Sequence, residues 1–151
     1  MPTVTVSTTI NAPQARVFEV FTDLRSAPQC VSGIKSLDVL TDGPIGLATR
    51  FRETRVMFGK EASETMEITA FNPPNSYEVT ADSHGCHYHS LLTFTPQGPN
   101  ATTASMTFNA TAKTIPAKLM GALMGWMVKG ACRKAMQKDF DDLKRAIESA
   151  Y

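Results

Sequence analysis

Three charged residues near the middle of the chain are of types suited to acid–base chemistry. Glu53, Arg55 and Glu64 lie on two short segments that Gly59-Lys60 separates. In an apolar site, the arginine could hold a carbonyl, carboxylate or enolate group, and either glutamate could act as a general base if burial raises its pKa. The alternative is an ion pair at the rim of such a site, or a hairpin tip that solvent surrounds.

The position of these residues depends on how the two segments pair. If Gly59-Lys60 forms a two-residue turn with glycine first, the register of the hairpin is fixed. The turn then predicts three cross-strand pairs on one face: Arg55 with Glu64, Glu53 with Met66, and Phe51 with Ile68.

The histidines form a second candidate site. His84, His87 and His89 are the three histidines of the chain and fall within six residues. His87 and His89 would point the same way on a strand and could share a divalent metal ion, with His84 or a carboxylate completing the ligands. Their strand face is otherwise polar, which favours a plain exposed strand, so we expect no metal. Cys86 points the other way and lacks an evident base, which argues against a nucleophilic thiol.

The elements that carry these residues follow from apolar periodicity and from turn residues. Thr3–Ile10 alternates apolar and polar side chains, which predicts a half-buried strand. A helix is predicted to begin at Pro13 and either ends at 26–28 or is followed there by a short second helix. From Ile34 to Ala112, short segments rich in Thr, Val and Phe alternate with Gly, Pro and Asn turns, which predicts sequential hairpins.

The hairpin that turns near Pro99 divides clearly into two faces. Its predicted register gives four pairs on one face: Phe94 with Ala104, Leu92 with Met106, Ser90 with Phe108, and Tyr88 with Ala110. Apart from Leu91, the other face is polar, with His87, His89, Thr93, Thr95, Thr103, Ser105, Thr107, Asn109 and Thr111.

A sheet that is apolar on one side must be covered on that side, and the C-terminal helix is the only predicted element large enough to do so. We therefore predict an α+β protein with a helix-grip fold. In this fold a curved antiparallel sheet wraps around a long C-terminal helix. We expect one domain over 1–151.

The C-terminal helix has an unusual distribution of side-chain sizes. It is predicted to follow Thr114 as N-cap, with Pro116 in its first turn, and its last half carries an apolar stripe of Cys132, Met136, Phe140, Leu143 and Ile147. Traced backwards, the stripe meets Val128, Gly125 and Gly121. Glycine inside a helix costs roughly 0.5–1 kcal/mol relative to alanine, so these positions indicate close packing, a bend or a preserved cavity.

A ligand site is therefore predicted between the sheet and this helix. Tyr88 and Ser90 would offer polar contacts to a ligand oxygen, although a buried core role is an equal alternative for Tyr88. The candidate catalytic residues are Arg55, Glu53, Glu64 and Tyr88. The predicted lining consists of Phe51, Met66, Ile68, Tyr88, Ser90, Leu92, Met106, Phe108, Met124 and Val128.

Composition argues against several other classes of protein. The 151 residues include 15 Lys and Arg against 14 Asp and Glu, so no large basic surface is expected for nucleic acid or an anionic membrane. The N-terminus lacks a signal-peptide pattern, and no run reaches the roughly 18 apolar residues of a membrane span. Three separated cysteines give no disulfide framework. We expect a cytoplasmic monomer or homodimer that binds a small hydrophobic molecule without a cofactor, nucleic acid or stable membrane insertion.

Segments along nearly the whole chain resemble the START-like (SRPBCC) superfamily, in particular its branch of polyketide cyclase/dehydrase and lipid-transport proteins. The similarity lies in VSTTINAP at 6–13, VFEVFTD at 17–23, GLATRF at 46–51, ITAFNPP at 68–74, FTP at 94–96 and FDDLK at 140–144. The resemblance implies a strand, two helices, six strands and a long helix around a deep cavity for lipids, sterols, polyketides, quinones or other apolar ligands. It transfers no catalytic residues, because such proteins include carriers, aromatase/cyclases and regulatory binding modules.

Three functions remain open at this point. The first is a binding protein or carrier for a small hydrophobic molecule. The second is a cyclase, dehydratase or hydrolase-like enzyme acting on a polyketide-like carbonyl compound, with the candidate catalytic residues converging on one empty point. The third is a protein-interaction or stress-related module in which the pocket has no role.

Overall fold

The order of helices and strands agrees with the order that the family resemblance implied. The computed structural model describes residues 3–57, 60–83, 85–112 and 115–150, with backbone alone at 57, 60, 83, 112, 115–129 and 150. The elements are β1 (Thr3–Ile10), α1 (Gln14–Thr22), a single 3-10 turn (Leu24–Ser26), α2 (Ala27–Cys30), β2 (Ile34–Val39), β3 (Arg50–Met57), β4 (Lys60–Asn72), β5 (Ser76–Ser83), β6 (Cys86–Pro96), β7 (Thr102–Ala112) and α3 (Ile115–Ala150).

The strands of the described residues form one sheet in the order β1-β7-β6-β5-β4-β3-β2. Every neighbouring pair in this order is antiparallel. The sheet is curved, and α3 packs against β1 and β7 as well as against α1 and α2. The predicted α+β helix-grip fold is therefore confirmed.

The first strand and the first helix close one end of the sheet. In β1, the alternation holds as predicted, because Val4, Val6 and Ile10 are buried while Thr5, Ser7 and Thr9 are exposed. The helix α1 begins directly after Pro13, whose backbone is extended. The buried residues of α1 are Val17, Phe18, Phe21 and Thr22.

The second half of α3 completes this core. Its predicted stripe is confirmed where Met136, Phe140 and Ile147 are buried and Leu143 packs against them. The ring of Phe140 lies edge-on to that of Phe21, with centroids 5.3 Å apart. Such a pair contributes about 0.5–1.5 kcal/mol beyond its buried area. Within the described part of the chain, no helix combines the length and the apolar character that a membrane span requires.

Several expectations for the start of α3 fall outside what the structure describes. Thr114, the predicted N-cap, is one of them, and so are the side chains that would surround Gly121 and Gly125. At Gly130, which is described, an added Cβ would meet nothing within 4 Å. Close packing on a neighbouring element therefore does not explain this glycine.

The two predicted hairpin registers had different outcomes. The β6–β7 register is confirmed at all four predicted pairs. The β3–β4 register is wrong by two residues, because a two-residue hairpin loop accepts glycine at either position and the sequence does not choose between them. An even displacement keeps the same side chains on the concave face. The observed pairs are Phe51 with Met66, Glu53 with Glu64, and Arg55 with Ala62.

Candidate functional site

The concave face of the sheet, which faces α3, has a closed half and an open half. In the closed half, nearest α1 and the 3-10 turn, most inward side chains are buried: Val6, Phe51, Ile68, Tyr77, Leu92, Phe94 and Ala104, while Phe71 is partly exposed. In the open half, most inward side chains are partly exposed: Glu64, Met66, Val79, Tyr88, Ser90, Met106, Phe108 and Ala110. Ala81, across from Tyr88, and Val4, across from Phe108, are buried there, and Val79, Met106 and Phe108 also pack against the buried core. Solvent therefore reaches apolar side chains that point toward the inside of the fold.

The predicted lining residues are divided between these two halves. Phe51, Ile68 and Leu92 belong to the closed half, where none is more than 7% exposed. The open half contains Met66, Tyr88, Ser90, Met106 and Phe108. The side chains of Met124 and Val128 lie outside the described residues.

Val79 is a residue of the open half that the sequence analysis missed. It is the cross-strand partner of Ile68 on one side and of Ser90 on the other, so it lies in the middle of the concave face. The signal was the alternation of Tyr77, Val79 and Ala81 along β5. That alternation identifies one face of the strand but not which face meets the helix.

Arg55 is bound by two carboxylates. Its Nε donates to Glu53 on the same strand, and its Nη1 and Nη2 donate to Asp139 of α3 at 3.1 and 2.8 Å. Burial alone would lower the pKa of Arg55, but the charges of Glu53 and Asp139 and their hydrogen bonds raise it overall. A Cβ at Gly33 would lie 3.2 Å from Nη1 of Arg55, so glycine leaves room for the guanidinium group.

The predicted ion pair between Arg55 and Glu64 is wrong. The register places Ala62 opposite Arg55, and the helix supplies the carboxylate that the opposite strand was expected to supply. Sequence analysis missed Asp139, which directly precedes Phe140 of the apolar stripe. Helical spacing places Asp139 near the sheet, but only the docking of α3 identifies its partner.

Tyr88 is a hydrogen-bond donor of the open half. Its ring stacks on that of Phe108, with centroids 5.8 Å apart. Burial, followed by the neighbouring Cys86 thiol and then by Glu64 and Cys132, raises the pKa of Tyr88 to about 12. The phenol therefore keeps its proton at neutral pH and can donate to a ligand oxygen.

The described histidines lie on the convex face and pair with carboxylates of β5. Nδ1 of His87 is 2.9 Å from Asp82, and Nε2 of His89 is 2.6 Å from Glu78. His84 lies outside the described residues. Within residues 3–57, 60–83, 85–112 and 115–150, no three His, Cys, Asp or Glu side chains are grouped as metal ligands would be.

A depression of about 550 Å³ lies along α3, away from the open half. Its lining is mostly charged or polar, with Gly130, Arg133, Lys134, Gln137, Lys138 and Asp141. Sites for apolar ligands are lined mainly by apolar and aromatic side chains. The open half fits that description better than this depression does.

Solved structures with the same fold include proteins of different names. TTHA0849 from Thermus thermophilus has a TM-score of 0.83 and 23% sequence identity over 99% of both chains. A START superfamily protein from Mycobacterium smegmatis has a TM-score of 0.82 and 15% identity, also over 99% of both chains. The Zhui aromatase/cyclase from a Streptomyces species has a TM-score of 0.81 and 13% identity over 97% of this chain and 93% of its own.

The sequence itself supports a family assignment. No curated protein matches the chain. The family model for polyketide cyclase/dehydrase and lipid transport matches residues 1–148. The chain therefore belongs to the polyketide cyclase/dehydrase and lipid transport family.

Proposed function

We propose that this protein binds or transports a small hydrophobic molecule, such as a lipid, a polyketide or a quinone, between the open half of the concave face and α3. The observation that carries the proposal is the partial exposure of Met66, Val79, Met106 and Phe108, all of which point inward. Most inward apolar side chains of the closed half are buried, so the two halves differ in how much inward apolar surface solvent reaches. A ligand would cover the apolar surface that the fold leaves exposed.

Covering this apolar surface with a ligand contributes favourably to the free energy of binding. Each Å² of apolar surface removed from water contributes roughly 25 cal/mol. Tyr88 and Ser90 add hydrogen-bonding groups to an otherwise apolar lining, which orients a ligand through its polar end. The lipid-transport members of the family and the START superfamily neighbour support this proposal.

The experiment compares two neighbouring substitutions on β6. In Ser90→Phe, the added ring points into the open half and should lower ligand affinity at least about tenfold, because it occupies the space of the ligand. The free energy of unfolding should change by less than about 1 kcal/mol, because a hollow site does not incur the 1–3 kcal/mol typical of overpacking. Ligand occupancy is measured by native mass spectrometry after gentle purification and by titration with the uncharged fluorophore Nile red.

The matched control is Leu91→Phe, which alters the next residue on the convex face and should leave affinity unchanged. Retention of wild-type affinity in Ser90→Phe would contradict the proposal. The proposal would also be contradicted if Ser90→Phe strongly lowered stability and the wild-type protein carried no ligand. Both results would indicate that side chains already fill the interior.

An enzymatic function is the second candidate, because Glu64 and Tyr88 interact electrostatically in the open half. Glu64 could accept a proton from the carbon next to a ketone while Tyr88 donates a hydrogen bond to the carbonyl oxygen. Arg55 suits this role less than the sequence suggested, because Glu53 and Asp139 already bind it.

Proton abstraction can be measured without the natural substrate. With acetophenone as an aryl ketone probe in D2O, a cyclase-type enzyme should exchange methyl protons for deuterons faster than the uncatalysed reaction. Glu64→Gln and Tyr88→Phe should each lower that rate about 100-fold or more, the usual contribution of a general acid or base. Exchange at the uncatalysed rate in the wild-type protein argues against this candidate and leaves binding as the function.

A further inference from the structure

The charge of the concave face constrains what the proposed site can bind. Among the described residues of the concave face, Arg55 supplies the positive charge, and all three of its nitrogens already contact carboxylates. Its charge is compensated twice, by Glu53 and by Asp139. A ligand carboxylate would therefore approach a guanidinium group whose charge two carboxylates already compensate.

Glu64 adds a further negative charge in the open half. It lies directly opposite Glu53 in the β3–β4 pairing and is partly exposed on the concave face. Within the described ranges, its electrostatic partner is Tyr88. Among the described residues, the concave face thus holds the cation Arg55 and the carboxylates Glu53 and Glu64, and α3 adds the carboxylate of Asp139.

Among the other described polar groups of the open half are two hydroxyls, and the thiol of Cys86 lies beside one of them. The phenol of Tyr88 is a donor and an acceptor, and so is the hydroxyl of Ser90. Ser90 is the neighbour of Tyr88 along the same face of β6, and both lie across from β7. Together with the Glu64 carboxylate, they match a ligand group that both donates and accepts hydrogen bonds.

We propose that the open half selects uncharged apolar molecules that carry a hydroxyl group, and that it rejects carboxylates such as fatty acids. Glu64 is the specificity-determining residue, because its carboxylate accepts from a hydroxyl and repels an anion. This inference rests on the proposed binding function and adds the class of ligand.

The first experiment compares matched ligands on the wild-type protein at about pH 8. The pairs are 1-decanol with decanoate and 2-naphthol with 2-naphthoate, each used to displace Nile red. Within a pair, the apolar part is the same or nearly so, and the carboxylate alone is charged. The hydroxyl compound should bind at least about tenfold tighter, as expected for a partly solvated repulsion between like charges.

Each outcome of this comparison has a definite meaning. Equal binding of both members of a pair, or tighter binding of the carboxylate, would overturn the inference while leaving the binding function intact. Displacement by none of the four compounds would instead contradict the proposed function and remove the inference with it. The comparison needs no variant, so it does not depend on whether a substitution folds.

The second experiment assigns the selectivity to one residue. Glu64→Gln keeps the size of the side chain and removes the charge, so the ratio of 1-decanol to decanoate affinity should fall about tenfold or more. The control, Glu67→Gln, alters the same strand on the convex face and should keep the wild-type ratio. An unchanged ratio in Glu64→Gln would overturn the role of Glu64, and an equal change in Glu67→Gln would show that net charge alone is responsible.

Discussion

At the residue scale, Arg55 shows how a charged side chain on a concave face can hold a helix in place. Arg55, Glu53 and Asp139 are between 14% and 24% exposed, so all three have lost much of their hydration. Pairing offsets that loss, and removal of one partner leaves an uncompensated charge. Because Asp139 belongs to α3 and Arg55 to β3, this group joins the helix to the far side of the sheet.

We predict that Asp139→Asn lowers the free energy of unfolding by about 1–3 kcal/mol, the range for a hydrogen bond between charged groups. Arg55→Met should cost more, since it leaves two carboxylates close together without a cation. Chemical denaturation at pH 7 measures both. Arg52→Met, on the convex face of the same strand, should change stability by less than about 0.5 kcal/mol. If Asp139→Asn lowered the free energy of unfolding as little as Arg52→Met does, the helix-docking role of Asp139 would be contradicted.

At the scale of elements, the connection between α2 and β2 is anchored on α3. Asp142 is 6% exposed and accepts hydrogen bonds from the backbone N–H and the hydroxyl of Ser32, both at 3.1 Å. Lys138 and Arg145 contact the same carboxylate at 3.2 and 3.3 Å. Burial alone would raise the pKa of Asp142, but the hydrogen bonds from Ser32 and Lys138 hold it below its ordinary value.

This anchor predicts a specific dependence of stability on pH. A carboxyl group whose pKa is lower in the folded state stabilises the fold at every pH above its pKa in the unfolded state, which is about 3.8 here. That stabilisation is lost as the pH falls through the pKa of the folded state. The stability difference between wild type and Asp142→Asn should therefore be constant from pH 5 to 7 and should shrink below about pH 4. Asp141→Asn, at the exposed neighbouring position, should show no such trend. A difference that grows as pH falls would contradict the assignment.

The elements also show what the sequence could and could not predict. Alternation of apolar and polar residues was sufficient for β1 and for the β6–β7 register, because each strand has one clearly polar face. The β3–β4 register was ambiguous, since both faces of that hairpin carry charges and glycine fits either loop position. Asp139 and Val79 were missed for a related reason. Their role depends on how α3 lies over the sheet, which spacing along one segment does not determine.

At the scale of the whole molecule, the two halves of the concave face have separate tasks. The closed half combines β1, α1 and the end of α3 around Phe18, Phe94 and Phe140, and it holds most of the buried apolar side chains. The open half shares the same strands but keeps most of its inward side chains partly exposed. Burial of apolar surface stabilises the fold, so the closed half should set stability and the open half should set binding.

Two methionines allow this division to be tested with the same substitution. Met136 is 8% exposed in the closed half, so Met136→Ala should lower the free energy of unfolding by about 2–5 kcal/mol. Met106 is partly exposed in the open half, so Met106→Ala should cost less than about 1.5 kcal/mol. A ligand that binds only the folded state adds its binding free energy to the stability of the protein. Saturating 1-decanol should therefore stabilise wild type and Met136→Ala by similar amounts and Met106→Ala by less. Denaturation with and without the ligand measures both costs and all three stabilisations. Equal costs for the two substitutions, with equal stabilisation by ligand, would show that the two halves are packed alike and that the concave face is one continuous core.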